Sequence, residues 1–217
     1  MPQVDLLRAL PKPGKRNLQA RSSGKNEEVI RISKEYGALY FDGPREYGYG
    51  GYRYDGRWRP VARDIVEHFG LKPGDKVLDV GCAKGFLVKD LLELGIDAYG
   101  VDISEYALMK CEPQTIGRLH IGSADQLPFP SESFSAVLAI NTIHNLPRVR
   151  CKTALQEMQR LAPGKGFVKV DSYLTAEQKH IFESWVLTAE FHDYPAGWAA
   201  LFDEAGYTGD YDWTIIE

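Results

Sequence analysis

Long apolar runs are missing from this 217-residue sequence: no stretch approaches the roughly 18 consecutive apolar residues needed to cross a bilayer. The opening MPQVDLLRALPKPGKR also lacks the apolar centre of a secretory signal. Cysteine is scarce, at Cys82, Cys111 and Cys151 only, and these form no CxxC or zinc-type spacing. An odd count in a chain of this size argues against a disulfide framework. The expectation is a cytoplasmic protein with reduced thiols, no membrane partner and no metal. A strong excess of one charge is absent as well, with a net charge of −4 at pH 7, so nucleic acid is not the expected partner.

What is present is the composition of a globular chain with a proper core, 44% hydrophobic and 26% charged. Charge is nevertheless uneven, since residues 1–35 hold eight Lys/Arg against four Asp/Glu, leaving 18 against 26 in the rest. Such an arm can attract nucleic acid or an acidic partner. With Pro11, Pro13, Gly14 and Gly24 in it, the segment up to Asn26 reads first as a solvated tail, loose or partly helical. Residues 1–40 are taken as this basic extension, ending in a short surface helix within 27–40. Residues 41–60 follow as a Tyr/Gly-rich segment in which Tyr47, Tyr49, Tyr52, Tyr54 and Trp58 alternate with glycines and with Arg45, Arg53 and Arg57. It reads equally well as a mobile lid, with Tyr47, Tyr49, Tyr52 and Trp58 holding a substrate, or as an ordered loop packing its rings onto the domain.

Residues 61–217 form the third unit, where helix and strand patterns alternate regularly. Helices are expected at 61–69, 86–95 and 147–161, and strands at 76–80, 97–102, 117–125, 134–140 and 166–173. That alternation implies an α/β fold with parallel pairing through right-handed crossovers. The most informative stretch is VLDVGCAKGFL, residues 77–87, where a buried strand ends in a glycine-flanked loop that opens into a helix. Gly81 and Gly85 permit a tight turn and close approach of a ligand. The helix start supplies free N–H groups to a carboxylate or phosphate. A dinucleotide fingerprint would need a glycine where Ala83 stands, so a pyrophosphate loop is disfavoured. Asp102 ends the second strand about 20 residues beyond the loop, in position to grip ribose hydroxyls. Asp125 closes the third strand, where it could reach an exocyclic amine.

The set VLDVGCAKG, GVDIS, GSADQLPFPSESFSAVLAINTIHNL and a strand after LAPGKG resembles the class I S-adenosylmethionine-dependent methyltransferases, close to their type 11 branch, over residues 61–207. That resemblance implies a Rossmann-like three-layer sandwich with a mainly parallel sheet and S-adenosyl-L-methionine as cofactor. It further implies that Gly81, Cys82, Ala83 and Gly85 line the methionine end, that Asp79 supports their loop and that Asp102 holds the ribose. Ile103 and Ser104 would border the adenine, Ala124, Asp125 and Gln126 would cap it, and Asn141 would offer its backbone to the methionine amine. Asp79, Asp102 and Asp125 could instead be turn or cap residues, as Asp often is at strand ends. Lys84 stands where the family often has a small residue and is expected to point to solvent. Family members usually finish with two more strands, the last antiparallel, whereas GDYDWTIIE supplies one at most. The expected sheet therefore has six strands, lacks the last one and leaves an open edge, available to a second copy of the chain or to the N-terminal extension.

A sulfonium carries an activated methyl group, so the protein's main task is to align an acceptor. A hydroxyl acceptor also needs a general base, and His144, just past the fourth strand, has the best address for it. Asp171, at the end of the fifth strand, comes second, and His192, in AEFHDYP, third. A histidine or aspartate at these places can equally be a cap or turn residue. A metal site at Asp171, Glu190 and His192 has no supporting ligand spacing. Aromatic residues of the lid, with Trp185, Phe191, Tyr194 and Trp198, suit flat rings, although Trp185 and Trp198 fit plain core packing. The expected function is methylation of a small molecule, with O-methylation of a sugar or other ring-containing metabolite ahead of N-methylation of an amine. An RNA methyltransferase and a noncatalytic interaction subunit are the alternatives.

Overall fold

The computed structural model describes residues 1–11 and 24–215. Residues 12–23 of the expected loose segment up to Asn26 lie outside these. Six strands form one sheet: β1 (Lys76–Val80), β2 (Asp97–Asp102), β3 (Leu119–Ile121), β4 (Ala136–Ile140), β5 (Gly166–Ser172) and β6 (Asp210–Ile215). Their order is β3-β2-β1-β4-β5-β6, and every neighbouring pair is parallel. The direction of winding reverses between β1 and β4, which opens a crevice at their carboxyl ends.

Strand residues alternate between two apolar layers, because successive side chains of a strand point to opposite faces. Leu78, Val80, Val137, Ala139, Val168 and Val170 face one layer. It is completed by helices α6 (Arg148–Leu161) and α8 (Pro195–Ala205) through Leu155, Met158, Leu161, Trp198 and Phe202. Val77, Ala98, Leu138 and Phe167 face the other layer, against α3 (Trp58–Phe69) and α4 (Phe86–Glu93). Helices on both faces make the Rossmann-like three-layer sandwich, with α1 (Glu27–Lys34), α2 (Ala38–Asp42), α5 (Glu105–Met109) and α7 (Ala176–Trp185) around it. No helix among the described residues is long and apolar enough to cross a membrane.

Three departures from the sequence reading have local causes. The helix expected within 27–40 breaks in two, because Tyr36 takes a left-handed backbone (φ 49°) ahead of Gly37. Asn26 caps α1 by accepting from the Val29 N–H at 3.0 Å. The third strand shrinks from 117–125 to Leu119–Ile121, since residues 123–126 close a turn in which the Gln126 N–H donates to the Ser123 carbonyl. The start of the basic extension is also no solvated tail. Val4 donates to the Tyr211 carbonyl at 2.9 Å, Tyr211 donates to the Pro2 carbonyl, and the Gln3 amide donates to Asp212. Leu6 and Leu7 are buried against Val61, Ala62 and Ile65 of α3. Residues 2–4 thereby cover the backbone edge of β6, and short β3 forms the opposite edge.

Candidate functional site

Gly81 leaves β1 with φ 82°, and a Cβ there would collide with Thr142 Oγ1 at the end of β4. The backbone of β1 therefore passes the β4 loop at a distance that only glycine allows. The Gly81 and Cys82 N–H groups both donate to the Val101 carbonyl. Ala83 holds a left-handed backbone (φ 49°) and donates to Asp102 Oδ2 at 2.7 Å. Gly85, at φ 75°, turns the chain into α4 and packs on Leu119 and Thr115.

A cavity of about 290 Å³ opens beside this loop. Of the residues the sequence put at the cofactor, Gly81, Ala83, Asp102, Ile103, Ala124 and Asn141 lie on its wall. Cys82 and Gly85 do not; they lie behind the loop, and the Cys82 side chain fills the space beside Gly100. Ser104 also stands behind the wall, capping α5 through the Ala107 N–H and donating to the Tyr36 carbonyl at 2.6 Å. Asp125 is off the wall but bonded to two residues on it: Arg150 donates to both of its oxygens, Ser123 to one, and these contacts hold its carboxyl below the usual range. Gln126 closes the neighbouring turn, off the wall.

Two carboxylates meet at the loop. Asp102 accepts from Ala83 and from the Ser104 N–H at 2.8 Å, so the turn role and the wall position coincide in one residue. Burial nevertheless raises its pKa, against the pull of these amides. Asp79 is 6% exposed and has no cation beside it among the described residues. Burial, with the nearby charge of Asp102, pushes it up to about 7. A buried pair of acids short of positive charge suits a ligand that brings a cation. Tyr36, Ala83 and Asn141 are three of the four non-glycine residues with left-handed backbone among those described, and all three line the cavity. Such strain gathers where function positions the chain.

The roof of the cavity comes from the lid and from the break between α1 and α2. Tyr40 packs edge-on against Tyr36, Phe41 and Tyr49, at centroid distances of 5.1, 5.1 and 5.2 Å. All four rings lie on the wall. Tyr49 is the one lid residue from the sequence reading that does so. Tyr52 stacks on Phe86 instead (4.6 Å, 15°), Trp58 packs on the α3 side of the core, and Tyr47 stays off the wall. Lys84, expected in solvent, is buried and donates to Asp42 and to the Tyr52 carbonyl. Across the mouth, Lys34 pairs with Glu190 at 2.9 Å.

None of the three candidate bases reaches the wall. His144 is 4% exposed; its Nδ1 accepts from the Asp171 N–H at 3.2 Å and its Nε2 lies 3.5 Å from Asp171 Oδ2. Burial lowers its pKa despite Asp171, and with Nδ1 an acceptor the neutral ring carries its proton on Nε2. Both nitrogens are thus occupied, which makes the ring a brace between the ends of β4 and β5. Asp171 is the other half of that brace, and its carbonyl accepts from the Trp198 indole. His192 sits in a separate aromatic group, with Nδ1 3.1 Å from the Tyr173 hydroxyl. Sequence reasoning missed Tyr36, Tyr40, Phe41 and Asn145. The Asn145 side-chain oxygen is buried without a hydrogen-bond partner. Tyr36 and Tyr40 were hidden inside a helical pattern, Phe41 stood at the boundary where that helix was expected to end, and no sequence signal marks Asn145.

Comparison with known proteins shows what the site is similar to. Residues 78–169 match the family described as a methyltransferase domain. A demethylmenaquinone methyltransferase of Symbiobacterium thermophilum is 32% identical over 131 residues, covering 54% of this chain and 50% of that protein. Its namesake in Geobacillus stearothermophilus is 33% identical over 150 residues, covering 64% and 61%. The chain spans about half the length of the curated relatives it matches. Among solved structures, a chain from the complex between the Haloferax volcanii Trm112 methyltransferase activator and a methyltransferase shares the fold at a TM-score of 0.55 and 21% identity, over 69% of this chain and 67% of that one. Residues 78–169, which carry the glycine loop, Asp102 and the end of β4, are thus the part of the chain that is similar to a methyltransferase domain.

Proposed function

We propose that the chain transfers the methyl group of S-adenosyl-L-methionine to a small molecule that presents a ring. The observation that carries this reading is the cavity at the β1/β4 switch point, which joins a glycine-built loop, the Asp102 carboxylate, with Asp79 buried behind it, and an aromatic roof. Gly81, Ala83 and the backbone at Asn141 would hold the amino-acid end of the cofactor, with Asp79 balancing its ammonium. Asp102 would take the ribose hydroxyls, and Ile103 and Ala124 would flank the adenine. When bound, S-adenosylmethionine supplies a methyl group already activated on a sulfonium.

The chain's own part is alignment and exclusion of water. Tyr36, Tyr40, Phe41 and Tyr49 close the cavity with ring faces and edges, which suit a flat acceptor. Asn145 stands on the same wall, with its side-chain oxygen buried and without a hydrogen-bond partner. Two relatives are named for demethylmenaquinone, which favours a small-molecule acceptor without naming this one. O-methylation of a sugar or another ring-containing metabolite is the specific reading, and N-methylation of an amine fits the same cavity.

Calorimetry with S-adenosylmethionine tests the cofactor site. Replacing Asp102 by Ala removes the ribose acceptor and a bond to the loop, and weakens binding by at least about tenfold, or 1.4 kcal/mol. Equal affinity in the variant would refute the assignment. A labelled-methyl screen against sugars, nucleotides and amines then identifies the acceptor.

A further inference from the structure

Lys84 lies inside the cofactor loop, between Ala83 on the wall and Gly85 at the start of α4, with its side chain 8% exposed. Its ammonium has three protons and three acceptors: the two Asp42 oxygens at 2.8 and 2.7 Å, and the Tyr52 carbonyl at 2.8 Å. Asp42 is held in turn, since the Tyr106 hydroxyl donates to Oδ2 at 2.8 Å and the Tyr52 N–H to Oδ1 at 3.2 Å. Desolvation works against the ionised Asp42, and Lys84 and Tyr106 overcome it, holding its carboxyl below the usual range. Asp42 ends α2, directly after the roof residues Tyr40 and Phe41, and Tyr52 follows Tyr49 by three residues. One ammonium therefore ties both roof segments to the loop whose Ala83 N–H reaches Asp102.

A buried ammonium is tolerated only while its bonds are complete. The loop and the roof consequently keep their spacing together, or the roof lifts and Lys84 is rehydrated. The opposite edge of the roof is held differently. Lys34 and Glu190 pair there with side chains 38% and 36% exposed, a contact that water and salt weaken readily. The roof thus has a firm side at Lys84 and a yielding side at Glu190.

We propose that Lys84 is a positioning residue that couples the nucleoside loop to the aromatic roof, so that filling the loop orders the surface against which the acceptor is aligned. The inference rests on the reading that the cavity takes S-adenosylmethionine. Coupling of this kind is reciprocal, so a ligand that steadies the loop must also protect the roof.

Trypsin reads the roof directly, because Arg45, Arg53 and Arg57 are exposed within it. Cleavage at these sites is measured with and without saturating S-adenosylmethionine, in the wild type, Lys84→Met, Asp42→Asn and Lys84→Arg. In the wild type the nucleoside slows cleavage at least about fivefold, the low end of ordinary coupling between sites. Lys84→Met and Asp42→Asn bind it within about threefold of wild-type affinity by calorimetry, yet lose that protection. Lys84→Arg, which keeps the charge and the donors, retains most of it. Equal protection in the wild type, Lys84→Met and Asp42→Asn overturns the coupling, and so does loss of nucleoside binding in both variants. The partly exposed Asp42 gives the milder variant if Lys84→Met folds poorly. Failure of the wild type to bind the nucleoside would remove the cofactor reading instead. The clamp itself is then judged without ligand, where Lys84→Met and Asp42→Asn must be cut at least about fivefold faster than the wild type.

Discussion

Asp79 ties its own ionisation to the stability of the fold. In the unfolded chain its pKa is about 3.9, and in the fold burial beside Asp102 pushes it up to about 7. The folded state therefore prefers the protonated form. That contribution is complete below the unfolded pKa and is lost as pH rises through the folded one. Asp79→Asn should flatten the decline in stability between about pH 4 and 7 and leave the variant more stable than the wild type at pH 8. Urea midpoints taken at pH 5, 6, 7 and 8 check this, and parallel curves for the two proteins would count against it. Residues of this kind were legible in the sequence, because the acid, the glycine and the second acid sit at spacings that a strand–loop–helix unit dictates. Lys84 was not. A lysine in a glycine loop is normally solvated, and what buries it is Asp42, 42 residues earlier. The surroundings of His144 were not legible for a related reason: its place past β4 suits a base, but what its ring meets there is Asp171, 27 residues later.

At the level of elements, strands β1, β2, β4 and β5 stood out as short apolar runs between turn residues, and their cores match the expected spans. Sequence periodicity says less about where an element meets something distant. Residues 1–11 illustrate this, since their composition reads as a tail while Leu6 and Leu7 complete the layer under α3. Leu6, 4% exposed, should be costly to truncate. Leu6→Ala is expected to destabilise by about 2–5 kcal/mol, as for other buried leucines. Denaturant titration measures it, and a change under about 0.5 kcal/mol, the range of surface substitutions, would mean that the segment does not dock. The same logic explains why the break between α1 and α2 was missed: an amphipathic pattern runs through Tyr36, and only the cavity accounts for its left-handed backbone.

For the whole molecule, class and winding followed from the alternation of elements, and the fully parallel six-strand sheet agrees with the expected count. The shape of the cavity did not follow, because its wall gathers residues from Lys34 to Glu190 that no local rule links. A ligand held by so many segments should report on the entire fold. At 100 times its dissociation constant, S-adenosylmethionine adds about 2.7 kcal/mol to stability. For a chain of this size that raises the melting temperature by roughly 5–10 °C. Scanning calorimetry with and without the nucleoside measures the shift, and an unchanged transition would argue against a site shared by the whole sheet. The bridge between Gln3 and Tyr211 joins backbones some two hundred residues apart in sequence, so the covering of the β6 edge is a contact of very high sequence separation, of the kind that slows folding and leaves a strand edge unpaired until late.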